Sequence, residues 1–405
     1  MKAESVYEQL YAYSKTLAIV DTHEHFISEE WHVNRYLSFF DYLMSYVQWD
    51  MYSAGMPASL LRQYPQDEGQ AEKMFRILEP FWKLVKYGSY ARPVRLSLQH
   101  FHGVDDLTPE TIRKIGAELN AANRPGHYEE VFSQARICRI INQSIYGETG
   151  FGAPRFVHGI VKEEDPPGRI RQFWSECPDG TYAEYLEWTK GRMQEAARAG
   201  CVLKKFFADG FLTPPDRKTA MKDFELLRRG QEPSAESPLY SVILHDQLDI
   251  CGELGLVAAV HTGVWGDIGK LSPLPLFAVA EQHPGTVFDV YHMGMPFVRE
   301  CAFLGKNYPH VYLNLCWSHC VSEQISRQAV GEWLDLVPVS KIFGFGGDVI
   351  TLPEQVWGQL EHALQNLCRI LADRILLGRM DLEYAQLVLK LWLHDSPARV
   401  YKLSV

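Results

Sequence analysis

The segment "IVDTHEHF" (19–26) sets His23 and His25 one residue apart behind an apolar run. In an extended strand, residues i and i+2 point to the same face, so both imidazoles address one point. Neutral imidazole suits borderline divalent ions, and a pair aimed in this way is half of a metal site. Further donors end later apolar runs: His261 in "VAAVHTG", His292 in "FDVYHMG" and Asp348 in "FGFGGDV". Two adjacent lysines, Lys204 and Lys205, lie inside "CVLKKFFADG". Singly, each has an ordinary reading: a packed histidine, a Gly-Gly-Asp turn, a solvated strand edge. Together they supply imidazoles, a carboxylate and a lysine at the ends of five separate runs. That is the donor set of a catalytic zinc site, with manganese, iron or cobalt as alternatives. Such a site lowers the pKa of a bound water from about 15.7 to about 7.

The elements that must bring these residues together can be read from the pattern. Eight short apolar runs, at 17–23, 137–143, 155–161, 201–208, 256–262, 286–292, 311–317 and 342–348, read as strands. Helical patterns separate most of them, for example "TYAEYLEWTKGRMQEAARAG" and "LYSVILHDQLDICGELG", each closing on Gly before the next run. Alternating strands and helices imply parallel pairing, and eight units close into an α/β (β/α)₈ TIM barrel. An open doubly wound sheet is the alternative, but it gives no reason to place polar ligands at so many strand ends. The C-terminal strand ends of a barrel converge, which would bring distant donors within a few ångströms.

About 110 residues separate the first two strands, far beyond an ordinary connection. This insertion, about 26–135, is helical in pattern and rich in aromatic residues. It leaves the barrel at the face where barrel active sites lie, so it reads as a cap, with an oligomer contact as the plainer role. The region after 348 reads as closing helices. The expectation is one domain over 1–405, a barrel with an elaborated cap.

Composition narrows the partners. A formal net charge of −10 argues against nucleic acid or an anionic membrane surface. No run approaches the roughly 18 apolar residues of a membrane helix. Eight scattered cysteines without a CxxC pair read as buried thiols of a cytoplasmic protein. The aromatic content of 12% and the large cap suggest a homo-oligomer.

The HxH pair, the strand-four lysine, His261, His292 and Asp348 together resemble the amidohydrolase superfamily. The stretches "SAGMP", "EPFWKLVKYGSYARPVRLSL", "HTG" and "LVPVSKIFGFGGD" resemble its branch near the uronate isomerases and the metal-dependent decarboxylases. The resemblance implies one divalent metal, or two if the lysine is carbamylated. It makes His23, His25, Lys204, His261 and Asp348 the metal ligands, favouring Lys204 over Lys205 as the inward residue. Strand alternation alone does not choose between them. Asp348 would move the water's proton, and His292 would hold a second metal or polarise the substrate oxygen. Trp317 and His319, from "NLCWSHC", are candidate substrate contacts. Arg35, in the cap, is a candidate partner for a substrate carboxylate. His158 reads as core.

The function expected is a metal-dependent hydrolase, with metal-activated hydroxide attacking an amide or lactone of a small polar substrate. A sugar-acid isomerase or a non-oxidative decarboxylase would use the same ligands. A barrel that binds without catalysis would have little use for such polar residues buried at one point.

Overall fold

The computed structural model describes residues 3–44, 46–143, 151–152, 155–160, 166–234 and 236–405. Eight parallel strands form one sheet in sequential order: β1 (Ile19–Glu24), β2 (Ile137–Asn142), β3 (Phe156–Ile160), β4 (Leu203–Phe207), β5 (Val257–His261), β6 (Phe288–Val290), β7 (Val311–Asn314) and β8 (Ile342–Phe343). Each expected strand is present, although Val161, the last residue of the expected third, lies outside the described residues. β8 is only two residues long, but the chain after it continues beside β1. Thr22 N–H donates to Phe345 O at 3.2 Å, Asp348 N–H to His23 O at 2.8 Å and His25 N–H to Val349 O at 2.9 Å. These bonds join the last strand region to the first, and the molecule is a (β/α)₈ barrel.

Local chemistry explains the helices that pack the barrel's outside. Tyr182–Arg198 starts with a capping box in which Thr181 and Glu184 satisfy one another's backbone N–H groups. Pro238–Leu254 opens with Pro at its first position and ends at Gly255, whose φ of 68° only glycine adopts at little cost. Inside the barrel, Ile141, Leu203, Val257, Ala259, Tyr291, Cys316 and Phe343 form one cluster, closed by Tyr401 from the C-terminal tail. A larger cluster fills the layer between strands and outer helices.

The elements between β1 and β2, from Glu29 to Gln134, are all helical. They enclose an apolar core of their own around Phe39, Phe40, Phe75, Leu78 and Trp82, and Leu352 of the barrel joins it. The longest cap helix, Glu68–Val85, is seated by Ala71, Phe75, Leu78 and Trp82, the i, i+4, i+7, i+11 spacing of one helical face. Among the described residues no helix is long and apolar enough to cross a membrane. Among the described residues no cysteine forms a disulfide, and Cys316 and Cys320 are fully buried and pushed well above the usual thiol range by burial.

Candidate metal centre and its cavity

The end of β1 departs from simple alternation. Asp21 pairs with Ile140 and Glu24 with Asn142, so three steps on β1 oppose two on β2. This extra residue is a bulge, a feature that re-aims side chains at barrel rims. Beyond it the rings of His23 and His25 lie 4.8 Å apart and nearly perpendicular. Asp348 meets them from the chain after β8, with Oδ1 3.4 Å from His23 Nε2 and 3.3 Å from His25 Nε2. One donor atom from each of these three residues lies within 4.8 Å of the other two.

Two glycines allow this approach. A Cβ on Gly346 would lie 2.9 Å from the His23 Cβ and 2.6 Å from the Cys316 Cβ, and one on Gly347 would run into the Glu24 carboxyl. Asp348 itself holds φ at 59°, a strained value of the kind that gathers at functional sites. The cap helps to hold it there, because Tyr46 O–H donates to its main-chain oxygen.

The donor chemistry fits a divalent cation. Burial pulls His23 down to about 3, with Lys205 acting the same way and Asp348 opposing. It also lowers His25, so both rings are neutral near pH 7. Burial alone would raise Asp348, but its contacts with His23, His25 and His292 hold it well below the usual carboxylate range. The ring nitrogens facing away from Asp348 have partners that set the tautomer. His25 Nδ1 lies 2.5 Å from Gln143 O, which fixes Nδ1–H and leaves Nε2 as the ligand atom. His23 Nδ1 lies 2.9 Å from the Gln143 amide, which also reaches Tyr291 Oη at 2.6 Å. As assigned, that amide turns its nitrogen to both groups and leaves its oxygen unpartnered. The flipped amide accepts from His23 Nδ1–H and from Tyr291 O–H, freeing His23 Nε2 as well. Two imidazoles and one carboxylate are the three protein ligands of a catalytic site that keeps a position for water.

The structure brings some expected residues together and sets others apart. His261 lies beside the centre, outside the group of three. Its Nδ1 is 3.1 Å from His292 Nε2 and its Nε2 is 3.1 Å from Val264 O. Burial pulls it down to about 3, with Lys205 acting the same way and Asp348 opposing. His292 is fully buried behind it, on a turn with φ at 63°, with Nε2 3.9 Å from Asp348 Oδ2. The inward lysine is Lys205 and not Lys204. Leu203 lies in the barrel interior, so alternation along β4 turns Lys205 and Phe207 the same way. Lys204 points outward with Phe206, its Nζ 4.8 Å from that ring. Lys205 has its Nζ 4.3 Å over the Tyr291 ring and is pulled down to about 8 by burial, with Asp348 opposing.

A cavity of about 550 Å³ opens over the centre, and His23, His25, Lys205, His261 and Asp348 line it. Trp317 lines it too. His319 does not: it is buried between Gly344 O, 3.2 Å away, and the Asn366 side chain, and it ties β8 to the closing helix. Arg35 also lies away from the cavity. Its guanidinium pairs with Asp41 at 3.1 Å and backs the ring of Tyr64, which does face inward. The arginine on the wall is Arg62, in an aperiodic cap loop that gave no sequence signal. His158 is a core histidine bonded to Phe151 O at 3.1 Å.

A family model described as amidohydrolase matches residues 171–403, more than half of the chain. The chain belongs to the amidohydrolase family. Solved structures agree on the fold of this amidohydrolase. The glucuronate isomerase of Caulobacter crescentus matches with a TM-score of 0.79 at 18% identity, over 100% of this chain and 95% of that one. The uronate isomerase of Thermotoga maritima matches with a TM-score of 0.79 at 13% identity, over 98% and 97%. Among curated proteins, the fluG protein of Emericella nidulans is 29% identical over 150 residues. That match covers 36% of this chain and spans only 17% of the fluG protein.

Proposed function

We propose that this amidohydrolase is a metal-dependent hydrolase that opens an amide or lactone of a small molecule with water. The observation that carries the reading is the set of His23, His25 and Asp348, converging within 4.8 Å on the floor of a roomy cavity. These three residues would hold one divalent cation, and zinc best suits two imidazoles and a carboxylate. When bound, such a cation supplies a Lewis acid for the carbonyl and a water of lowered pKa.

The chain's own groups account for the remaining work. Asp348, kept ionised, accepts the water's proton and returns it to the leaving nitrogen or oxygen. The Lys205 ammonium, in the same cavity, faces the charge that develops on the carbonyl oxygen. His261 meets the substrate from the wall, and His292, which does not line the cavity, orients it through their shared hydrogen bond.

The test is a panel of amides and lactones given to the zinc-loaded protein, with uronates and aromatic acids alongside. Hydrolysis is expected, falling about 100-fold or more in Asp348→Asn. Isomerised uronate, or released CO₂ without any hydrolysis, would replace the reading with one of its sister reactions.

A further inference from the structure

The walls of the cavity carry a chemistry that the metal centre does not require. Six aromatic side chains line it: Tyr46, Trp49 and Tyr64 from the cap, and Phe207, Trp265 and Trp317 from the ends of β4, β5 and β7. Four of them, Tyr46, Trp49, Trp265 and Trp317, form a connected surface. The rings of Tyr46 and Trp317 are 4.7 Å apart, those of Trp49 and Trp265 5.2 Å, and those of Trp265 and Trp317 6.1 Å. Phe207 and Trp265 are 50% and 45% exposed, so their faces are open to a ligand.

Two polar residues of the cap wall already have partners, whereas Trp317 Nε1 and Thr351 Oγ1 have none among the described residues. Tyr46 O–H donates to Asp348 O, while Gln48 donates to Met44 O and accepts the Arg62 N–H at 3.0 Å. A flat ring would find faces and edges at the spacings that aromatic pairs favour.

Arg62 adds a charge. Its guanidinium lies 5.9 Å from the Trp49 ring on the cavity wall, and among the described residues no carboxylate pairs with it. Its backbone is held at φ 57°. Trp265 at 86° and Trp317 at 60° share that strained region, so the wall is built from residues placed at a conformational cost.

We propose that the substrate is a small aromatic amide or ester that also carries an anionic group. Its ring lies among Trp49, Trp265 and Trp317, and its anion pairs with Arg62. The choice of scissile bond rests on the hydrolase reading above; the ring and the anion rest on the wall alone. For an amide, water adds across the C–N bond to give a carboxylic acid and an amine.

N-benzoylglycine is a suitable probe, because it holds an aromatic ring, an amide and a carboxylate. Its binding to the metal-loaded protein, with that of N-acetylglycine, benzamide and D-glucuronate, is read from the quenching of the wall tryptophans. N-benzoylglycine is expected to bind at least tenfold more tightly than each of the other three. Arg62→Gln should bring it to the level of benzamide and leave benzamide itself unchanged, while Arg62→Lys keeps part of the difference. Equal or tighter binding of D-glucuronate would overturn the proposal. So would an Arg62→Gln protein that melts like the wild type and binds N-benzoylglycine undiminished. Tight, Arg62-dependent binding without turnover would uphold the proposed ligand class and count against hydrolysis, so the two failures are distinguishable.

Discussion

At the scale of residues, the centre depends on groups that never touch substrate. Gln143 bridges His23 to Tyr291, whose phenol lies 3.4 Å from Tyr401, and Tyr401 in turn donates to Asp289 at 2.6 Å. Gln143→Leu removes the partner that fixes the His23 tautomer but keeps the main-chain carbonyl that holds His25. Metal affinity should fall about 10–100-fold, measured by chelator competition, with little change in melting. Asp289 gives a pH signature. Burial raises it to about 7 despite its bonds to Tyr401 and Asn314. A carboxyl raised on folding contributes stability that is present below its unfolded value near 4 and is lost as pH rises through 7. The wild type should therefore lose stability relative to Asp289→Asn between pH 4 and 7, by on the order of a few kcal/mol, in denaturant titrations across that range. His23, His25 and Asp348 were legible in the sequence because HxH at a strand end and Gly-Gly-Asp are local signals. Lys205 was not, because two adjacent lysines differ only in register, and register is set by which neighbours face the barrel. Arg35 and His319 had the right types and neighbourhoods, but Asp41 and Asn366, distant or unremarked in sequence, claim them.

At the scale of elements, the bulge in β1 and the close passage after β8 form one device. Asp21 and Glu24 are buried together beneath it, and burial raises both, Asp21 to about 7. Glu24 also accepts the Val349 N–H at 2.5 Å, so this pair anchors the segment that presents Asp348. The missing side chain at Gly347 is part of the anchor. Gly347→Ala should cost about 1–3 kcal/mol of unfolding free energy and weaken metal retention together, seen in denaturant titration and elemental analysis. The eight strands were readable from short apolar runs bounded by turns. The bulge was not, because an extra residue in a strand leaves the apolar pattern nearly intact and shows only in the pairing with β2. The cap was legible as helix from its periodicity. Which of its side chains reach the cavity depends on how its separate core seats it over the barrel.

At the scale of the whole molecule, the barrel supplies convergence and the cap supplies confinement. Strand ends far apart in sequence deliver the donors, and the cap between β1 and β2 roofs them with Tyr46, Trp49, Arg62 and Tyr64. A net charge of −10 coexists with a cavity that presents Lys205 and Arg62, so a small anion is drawn to one place on an acidic molecule. Fold and metal chemistry follow from this arrangement, whereas the reaction belongs to the walls, which differ among barrels of one architecture. In the proposed function, His23, His25 and Asp348 hold one catalytic cation. The most direct test is the metal content per chain of protein prepared without chelators, beside a His23→Ala/His25→Ala variant. About one zinc per chain, lost in the double variant, is the predicted result; close to two per chain, or none after reconstitution, would contradict it.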